Sequence, residues 1–361
     1  MSNIALEEGL LLRVILEPDD GRAWRCFECW RELRGERGMR LTAWPITRLL
    51  PMVHRRLEAV AHYDGWERNR LRGIHRKSLT KNTILWGRAL PALRLVADAG
   101  HELMLVDGAL HGRLHYPDPG ARMLAGIDLV VRPGVISKIE TLLSTADWNP
   151  VSLNRSLMGS LSAAMSRLVL APRRVFRTGD GQELTVREDL FGSTRLTRTR
   201  STNAPNDAWK RATKLGLEGL ALLIPSPEDQ VLMAALAATS SSEAGLVDPL
   251  LDLALTLRCA ASVDVERVVA LANADSLAPH LEASLNTLTS LTTEPDARVK
   301  HLSGLIAATP PCPSGERLFA IRSTLAPTAP EAVLRTLWER VRLHVGHRSG
   351  RSQTFWARTT R

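Results

Sequence analysis

The sequence predicts an α+β protein, a mixed-sheet core flanked by N-terminal and C-terminal helices. Three observations carry that prediction. Residues 101–132 run as apolar strand, glycine turn, short helix, proline-rich loop and second apolar strand. Residues 173–200 break into short β-like runs around a GDGQ turn. The stretches before and after carry leucine, alanine and tryptophan at helical spacing.

Taken in order, residues 8–60 place Trp24, Phe27, Trp30 and Leu33 three apart and repeat the pattern with Leu49, Met52, Val53 and Leu57, as helices of a cap would. The RGERG run and Pro45 mark a turn between them. The polar, basic stretch 63–81 leads to a helix expected from about Asn82 to Ala99, closed by Gly100 in the position a left-handed cap prefers. Glu102 to Val106 reads as a buried strand, Asp107 to about His115 as a short helix, and Tyr116 to Gly120 (YPDPG) as a loop. Ile127 to Val131 is the second strand, stopped by Pro133, and a helix follows from about Val135 to Thr145.

Further on, RRVFRT and ELTVRED flank the hairpin signal Asp180-Gly181, and Thr194 to Arg200 alternates so that Arg198 and Arg200 share a face. Beyond Asn203 to Asp207 the text reads as helical, with Ser226, Pro227 and Glu228 as a start signal and a further helix over Gly245 to Arg258. The division is therefore an N-terminal helical cap (1–81), an α/β core (82–202), a C-terminal helical region (203–347) and a basic tail (348–361).

With 361 residues, the chain has room for two or three domains at roughly 150 residues each. Its formal net charge of +9, with arginine outnumbering lysine, suits contact with phosphates, nucleotides, nucleic acid or an acidic partner. Aromatics make up only 4% of residues, which supplies few stacking platforms, so nucleic acid is not the favoured partner. No apolar run reaches the roughly 18 residues of a membrane span, and the N-terminus places acids before its apolar run and lacks a basic leader. A cytoplasmic location without membrane contact is expected. Four cysteines do not make a disulfide scaffold; Cys26 and Cys29 form a C-x-x-C pair with no second pair at zinc spacing, and read as small core residues. His111 and His115, four apart without an intervening glutamate, read as surface or packing residues. No nucleophile elbow, phosphate loop or dinucleotide fingerprint is present.

The core text resembles a bacterial family of uncharacterised nucleotidyltransferases. That family's pattern is an apolar strand ending Lys-Gly-Ala, then Tyr-x-Asp-Pro-Gly-x-Arg, then Asp-Ile-Asp-Leu-Leu-Val. Here the positions read Asp107-Gly108-Ala109, Tyr116-Pro117-Asp118-Pro119-Gly120-Ala121-Arg122 and Gly126-Ile127-Asp128-Leu129-Val130-Val131. SPEDQVLMAAL and LLDLALTLR echo family text further on. The resemblance implies a nucleotidyltransferase-like mixed sheet and transfer of a nucleoside monophosphate from a triphosphate to an acceptor, with Mg2+ and a nucleoside triphosphate as cofactors.

Such chemistry needs two carboxylates one residue apart on a strand, because alternate residues share a face and can together grip magnesium, plus a third from a neighbouring strand. Asp128 stands at the second position. Gly126 stands at the first and can ligate nothing. Candidates for the third are Glu188 and Asp189, with Glu183 beside them. At the turn, Asp107 replaces the family's lysine; it either repels phosphate or supplies a relocated metal ligand beside Asp128. Gly108 lets a ligand approach the helix N-terminus, and Arg122 would position phosphates or, alternatively, pair with Asp118 to hold the loop. Two outcomes follow: a transferase whose activity is weak or lost for want of an acid at 126, or a pseudoenzyme that binds a nucleotide, a peptide or a partner enzyme. The acceptor, small molecule or peptide, is not legible, and RNA binding through the clustered Arg173, Arg174, Arg177, Arg187, Arg195, Arg198 and Arg200 is the third alternative.

Overall fold

The computed structural model describes residues 6–35, 44–60, 63, 65–151, 173–191, 204–240, 247–260, 262–292 and 294–308. The strand expected at Thr194 to Arg200 and the basic tail lie outside them.

Four helices come first: α1 (Leu6–Leu16), α2 (Asp20–Arg34), α3 (Trp44–Leu57) and α4 (Gly65–Asp98). The core follows as β1 (Leu103–Val106), α5 (Asp107–Leu114), β2 (Ile127–Val131), α6 (Ile136–Thr145), β3 (Asn149–Pro150), β4 (Arg173–Arg177) and β5 (Glu183–Arg187). Next come α7 (Ala204–Arg211), β6 (Thr213–Leu217) and β7 (Leu220–Ile224). Five helices complete the described chain: α8 (Pro227–Ser240), α9 (Val247–Cys259), α10 (Val265–Ala274), α11 (Ala278–Leu291) and α12 (Ala297–Ala308).

The seven strands form one mixed sheet in the order β3-β4-β5-β2-β1-β7-β6, with β2–β5 and β1–β7 parallel and the other neighbours antiparallel. Alternation sorts the side chains by face. Leu103, Leu105, Ile127, Leu129, Val131, Phe176, Leu184 and Val186 pack on α4 and α6 through Leu85, Ala89, Leu93, Val96, Ile139 and Leu143. Each such buried aliphatic side chain contributes roughly 1.5–3 kcal/mol. The opposite face carries Met104, Val106 and Val130, covered by Leu190, Ala208, Trp209 and Met233. Trp209 is held there in turn by the guanidinium of Arg132, 4.2 Å from its ring centroid.

The N-terminal and C-terminal helices share a single core. Leu11, Phe27, Trp30, Leu49 and Val53 from the first group pack in one cluster with Leu232, Leu251, Val268, Leu281 and Leu302 from the second. Phe27 and Trp30 stack at 5.7 Å, whereas Leu33, on the same predicted stripe, is exposed.

Two sequence expectations are corrected. The helix expected to begin at Asn82 begins at Gly65, so α4 runs 34 residues straight through the basic stretch. Its first half buries only a narrow stripe, Leu71 and Ser78 with Ile74 against it, which leaves most positions free for arginine and lysine, both good helix formers. The region beyond 203 is not wholly helical, because β6 and β7 form a hairpin on the sheet edge. Glu218 (φ 49°) and Gly219 (φ 81°) both adopt the left-handed conformation that a two-residue I′ turn requires. Among the described residues no helix is long and apolar enough to cross a membrane.

Candidate functional site: the sheet face where β1, β2 and β5 meet

Asp128 is the second residue of β2, and antiparallel pairing sets it opposite Val106, the last residue of β1. Parallel pairing sets it beside Thr185 and sets Val130 beside Arg187. Since partners across a ladder and alternate residues along a strand share a face, Asp128, Thr185 and Arg187 all lie on the side away from α4 and α6. Asp107 follows Val106 directly, at the start of α5, with a positive φ of 55°. Its Oδ2 forms an ion pair with Arg187 Nη2 at 2.9 Å. The structure thus brings Asp107 and Asp128 to one face of the sheet, with the guanidinium of Arg187, one residue of the arginine cluster, reaching across the strands to Asp107.

Burial pushes the Asp128 carboxyl up from its ordinary 3.8 to about 6, and the Asp107 charge adds to the rise. Arg187, Arg173 and a hydrogen bond from Thr185 oppose it. A carboxylate poised this way can exchange a proton near neutral pH. It cannot by itself clamp the charge of a triphosphate.

Gly126 does more than lack an acid. A Cβ at that position would lie 2.8 Å from the Glu183 carbonyl oxygen and 3.1 Å from the Glu183 Cβ, so the β5 backbone fills the space a side chain would need. The remaining acids named from sequence are engaged elsewhere. Glu188 lies past the end of β5, where its Oε1 accepts from the Gly134 amide at 2.8 Å. Asp189 Oδ1 accepts from the Phe191 amide at 2.8 Å. Glu183 pairs with Arg177. The positions on β5 that face Asp128 are Thr185 and Arg187. A two-metal clamp needs carboxylates free to converge on the ions, and the residues present do not fit one: among the described residues no group of three or more His, Cys, Asp or Glu is placed to hold a metal.

Gly108 lies beside Asp107 on α5, and its missing side chain has a visible consequence, since a Cβ there would sit 3.1 Å from Arg122 Nη2. Arg122 therefore packs directly beneath the N-terminus of α5, but its charge is already taken up. Its Nε and Nη2 donate to the two oxygens of Asp252 at 3.0 Å each, and its Nη1 donates to Asp248 at 2.8 Å. Tyr116 donates to Asp252 at 2.7 Å, and Arg48 of α3 also pairs with Asp248. Burial alone would raise the Asp252 carboxyl, yet the Arg122 charge holds it below the ordinary range. Burial opposes the Arg122 charge too, and Asp248 and Asp252 keep it protonated far above neutrality.

The alternative pairing of Arg122 with Asp118 does not form. Asp118 instead binds His75 (2.8 Å) and Arg55 (2.7 Å), tying the loop to α4 and α3. Asn82 fastens the same loop by donating to the carbonyls of Pro119 and Arg122 at 2.7 Å each. The signal for Asp248 and Asp252 was present in the sequence: two acids four apart on an apolar helix demand a buried cation.

Other expectations resolve simply. His111 is buried, within 3.2 Å of the Thr256 hydroxyl, and His115 is 2.8 Å from Gln230 Oε1, so both pack. Burial lowers both imidazoles. Cys26 is half-buried, but Cys29 is exposed, against the expectation of two core residues, because α2 turns its Cys29 side to solvent. In the arginine cluster, Arg174 pairs with Glu140, while Arg195, Arg198 and Arg200 lie outside the described residues.

The chain matches the model of a family described as uncharacterised nucleotidyltransferases over residues 41–293. A search of the solved structures finds an antigenic nucleotidyltransferase-like protein from Paracoccidioides brasiliensis, 16% identical, covering 65% of this chain and 95% of that one with a TM-score of 0.39. No curated protein matches.

Proposed function

Because the chain belongs to the family of uncharacterised nucleotidyltransferases, we propose that it keeps the fold as a binding module, holding a nucleotide on the sheet face where β1, β2 and β5 meet without transferring it. The observation that carries this reading is the state of the three acid positions. Asp128 remains, the place of its partner at Gly126 is filled by the β5 backbone, and Thr185 and Arg187 take the facing positions on β5. Nucleotidyl transfer asks for an arrangement that neutralises the leaving pyrophosphate, and one carboxylate does not supply it. Binding asks for less: an approachable helix N-terminus and a guanidinium suffice for a phosphate, and α5 and Arg187 stand together.

The competing reading is a transferase in which Asp107 and Asp128 form a displaced metal pair, handing the nucleotide to a small-molecule or peptide acceptor. It requires Arg187 to release Asp107. Incubating the full chain with each labelled nucleoside triphosphate and Mg2+ separates the two. The module predicts retained label with no pyrophosphate above a protein-free blank; pyrophosphate release that disappears in Asp128→Asn would establish the transferase.

A further inference from the structure

We propose that Arg187 is a built-in cation standing in the place of the divalent ion, so that this site takes a phosphate-bearing ligand without metal while Asp107 competes with that ligand for the same guanidinium. The proposal rests on the binding reading above and gives it a mechanism.

Position is the first support. Strand β2 lies between β5 and β1. Arg187 is level with Val130, two residues beyond Asp128, which is about 7 Å along the strand. Asp107 lies past Val106, on the other side of the Asp128 level. To reach Asp107 Oδ2 at 2.9 Å, the Arg187 side chain must cross β2 diagonally on the face that Asp128 occupies. Its positive charge is therefore carried across that face to the Asp107 carboxylate, over the strand that holds Asp128. A divalent ion entering there would meet that charge, and an anion would be drawn to it.

Unmet hydrogen-bonding capacity is the second. Arg187 Nε is buried and has no hydrogen-bond partner, and a buried donor left unpaired is costly unless something accepts from it. Directly opposite on β4 stands Arg173, exposed and with no ion-pair partner among the described residues. Two like charges facing across a ladder destabilise the pair, and an anion between them would reverse that. Third, α5 begins after Val106, which offers no side-chain acceptor, so its first-turn amides remain uncapped beside Asp107. Amides at a helix N-terminus and a forked guanidinium together match the oxygens of a phosphate. Opposing them is Asp107, whose carboxylate already holds Arg187.

Titration calorimetry on the full chain, with ATP and with inorganic pyrophosphate, first in EDTA and then in Mg2+, tests this. Binding in EDTA is expected to be at least as tight as in Mg2+. Asp107→Asn, which keeps a side chain tolerant of a left-handed backbone, should tighten binding about tenfold, a gain that misfolding cannot produce. Arg187→Gln should weaken it tenfold or more while its circular dichroism and melting midpoint stay near wild type. Glu140→Gln, the same charge change on the opposite face of the sheet, should do nothing. Binding that requires Mg2+, or that Asp107→Asn weakens, overturns the internal cation and leaves the non-transferring module standing. If neither wild type nor Asp107→Asn binds either probe in either condition, both readings fall.

Discussion

Replacing Asp128 with Asn should make the protein more stable at neutral pH, and the size of the gain follows from the site. Its carboxyl titrates at about 6 in the fold against an ordinary 3.8, a rise of about 2, because burial and the Asp107 charge disfavour the ionised form more than Arg187, Arg173 and Thr185 favour it. At 1.36 kcal/mol per pH unit this amounts to about 3 kcal/mol. The folded state holds the proton more tightly than the unfolded one, so the penalty is absent below about pH 4, grows between about 4 and 6, and is complete above 6. Asn is neutral throughout and keeps an oxygen able to accept from Thr185. Urea unfolding of wild type and Asp128→Asn at pH 4, 5, 6 and 7.5, with slopes compared for equality, should show the variant ahead by about 1–3 kcal/mol at pH 7.5 and level at pH 4. A variant that is weaker at pH 7.5, or a difference that does not change with pH, would refute the assignment of Asp128 as a carboxylate held against its charge.

Arg122→Gln should cost about 3–5 kcal/mol, since it strands the buried carboxylates of Asp248 and Asp252; a chemical denaturation curve measures it, and a loss below about 1 kcal/mol would show the network to be dispensable. Gly126→Asp restores the family's acid but drives its Cβ into Glu183, so a loss of about 1–3 kcal/mol and no pyrophosphate release are expected; a stable variant that releases pyrophosphate would mean that the β2–β5 gap opens freely.

How much was legible in the sequence depended on how local each signal was. β1 and β2 were readable because each is a contiguous apolar run bounded by Gly or Pro, and the Asp180-Gly181 turn announced β4 and β5. The parallel pairing of β2 with β5 was not readable, since nothing in either strand specifies a partner more than fifty residues away; without that register Arg187 is one arginine among many rather than the neighbour of Asp107. Arg122 misled for the same reason. Its partners on α9 lie 126 and 130 residues downstream, while Asp118, four residues upstream, offered a closer but unused choice. The β6–β7 hairpin hid because GLEGLALLI has the leucine content of a helix and its turn depends on a glutamate accepting a left-handed backbone.

The central claim is that this site carries its own cation. Titrating Mn2+ into the full chain and following the free-ion signal by electron paramagnetic resonance addresses it without any assumption about ligand or acceptor. The account predicts a signal that grows in proportion to added Mn2+, as in buffer alone, with binding appearing only once Arg187 is replaced by Gln. Stoichiometric uptake of Mn2+ by the wild-type chain, abolished in Asp128→Asn, would contradict it.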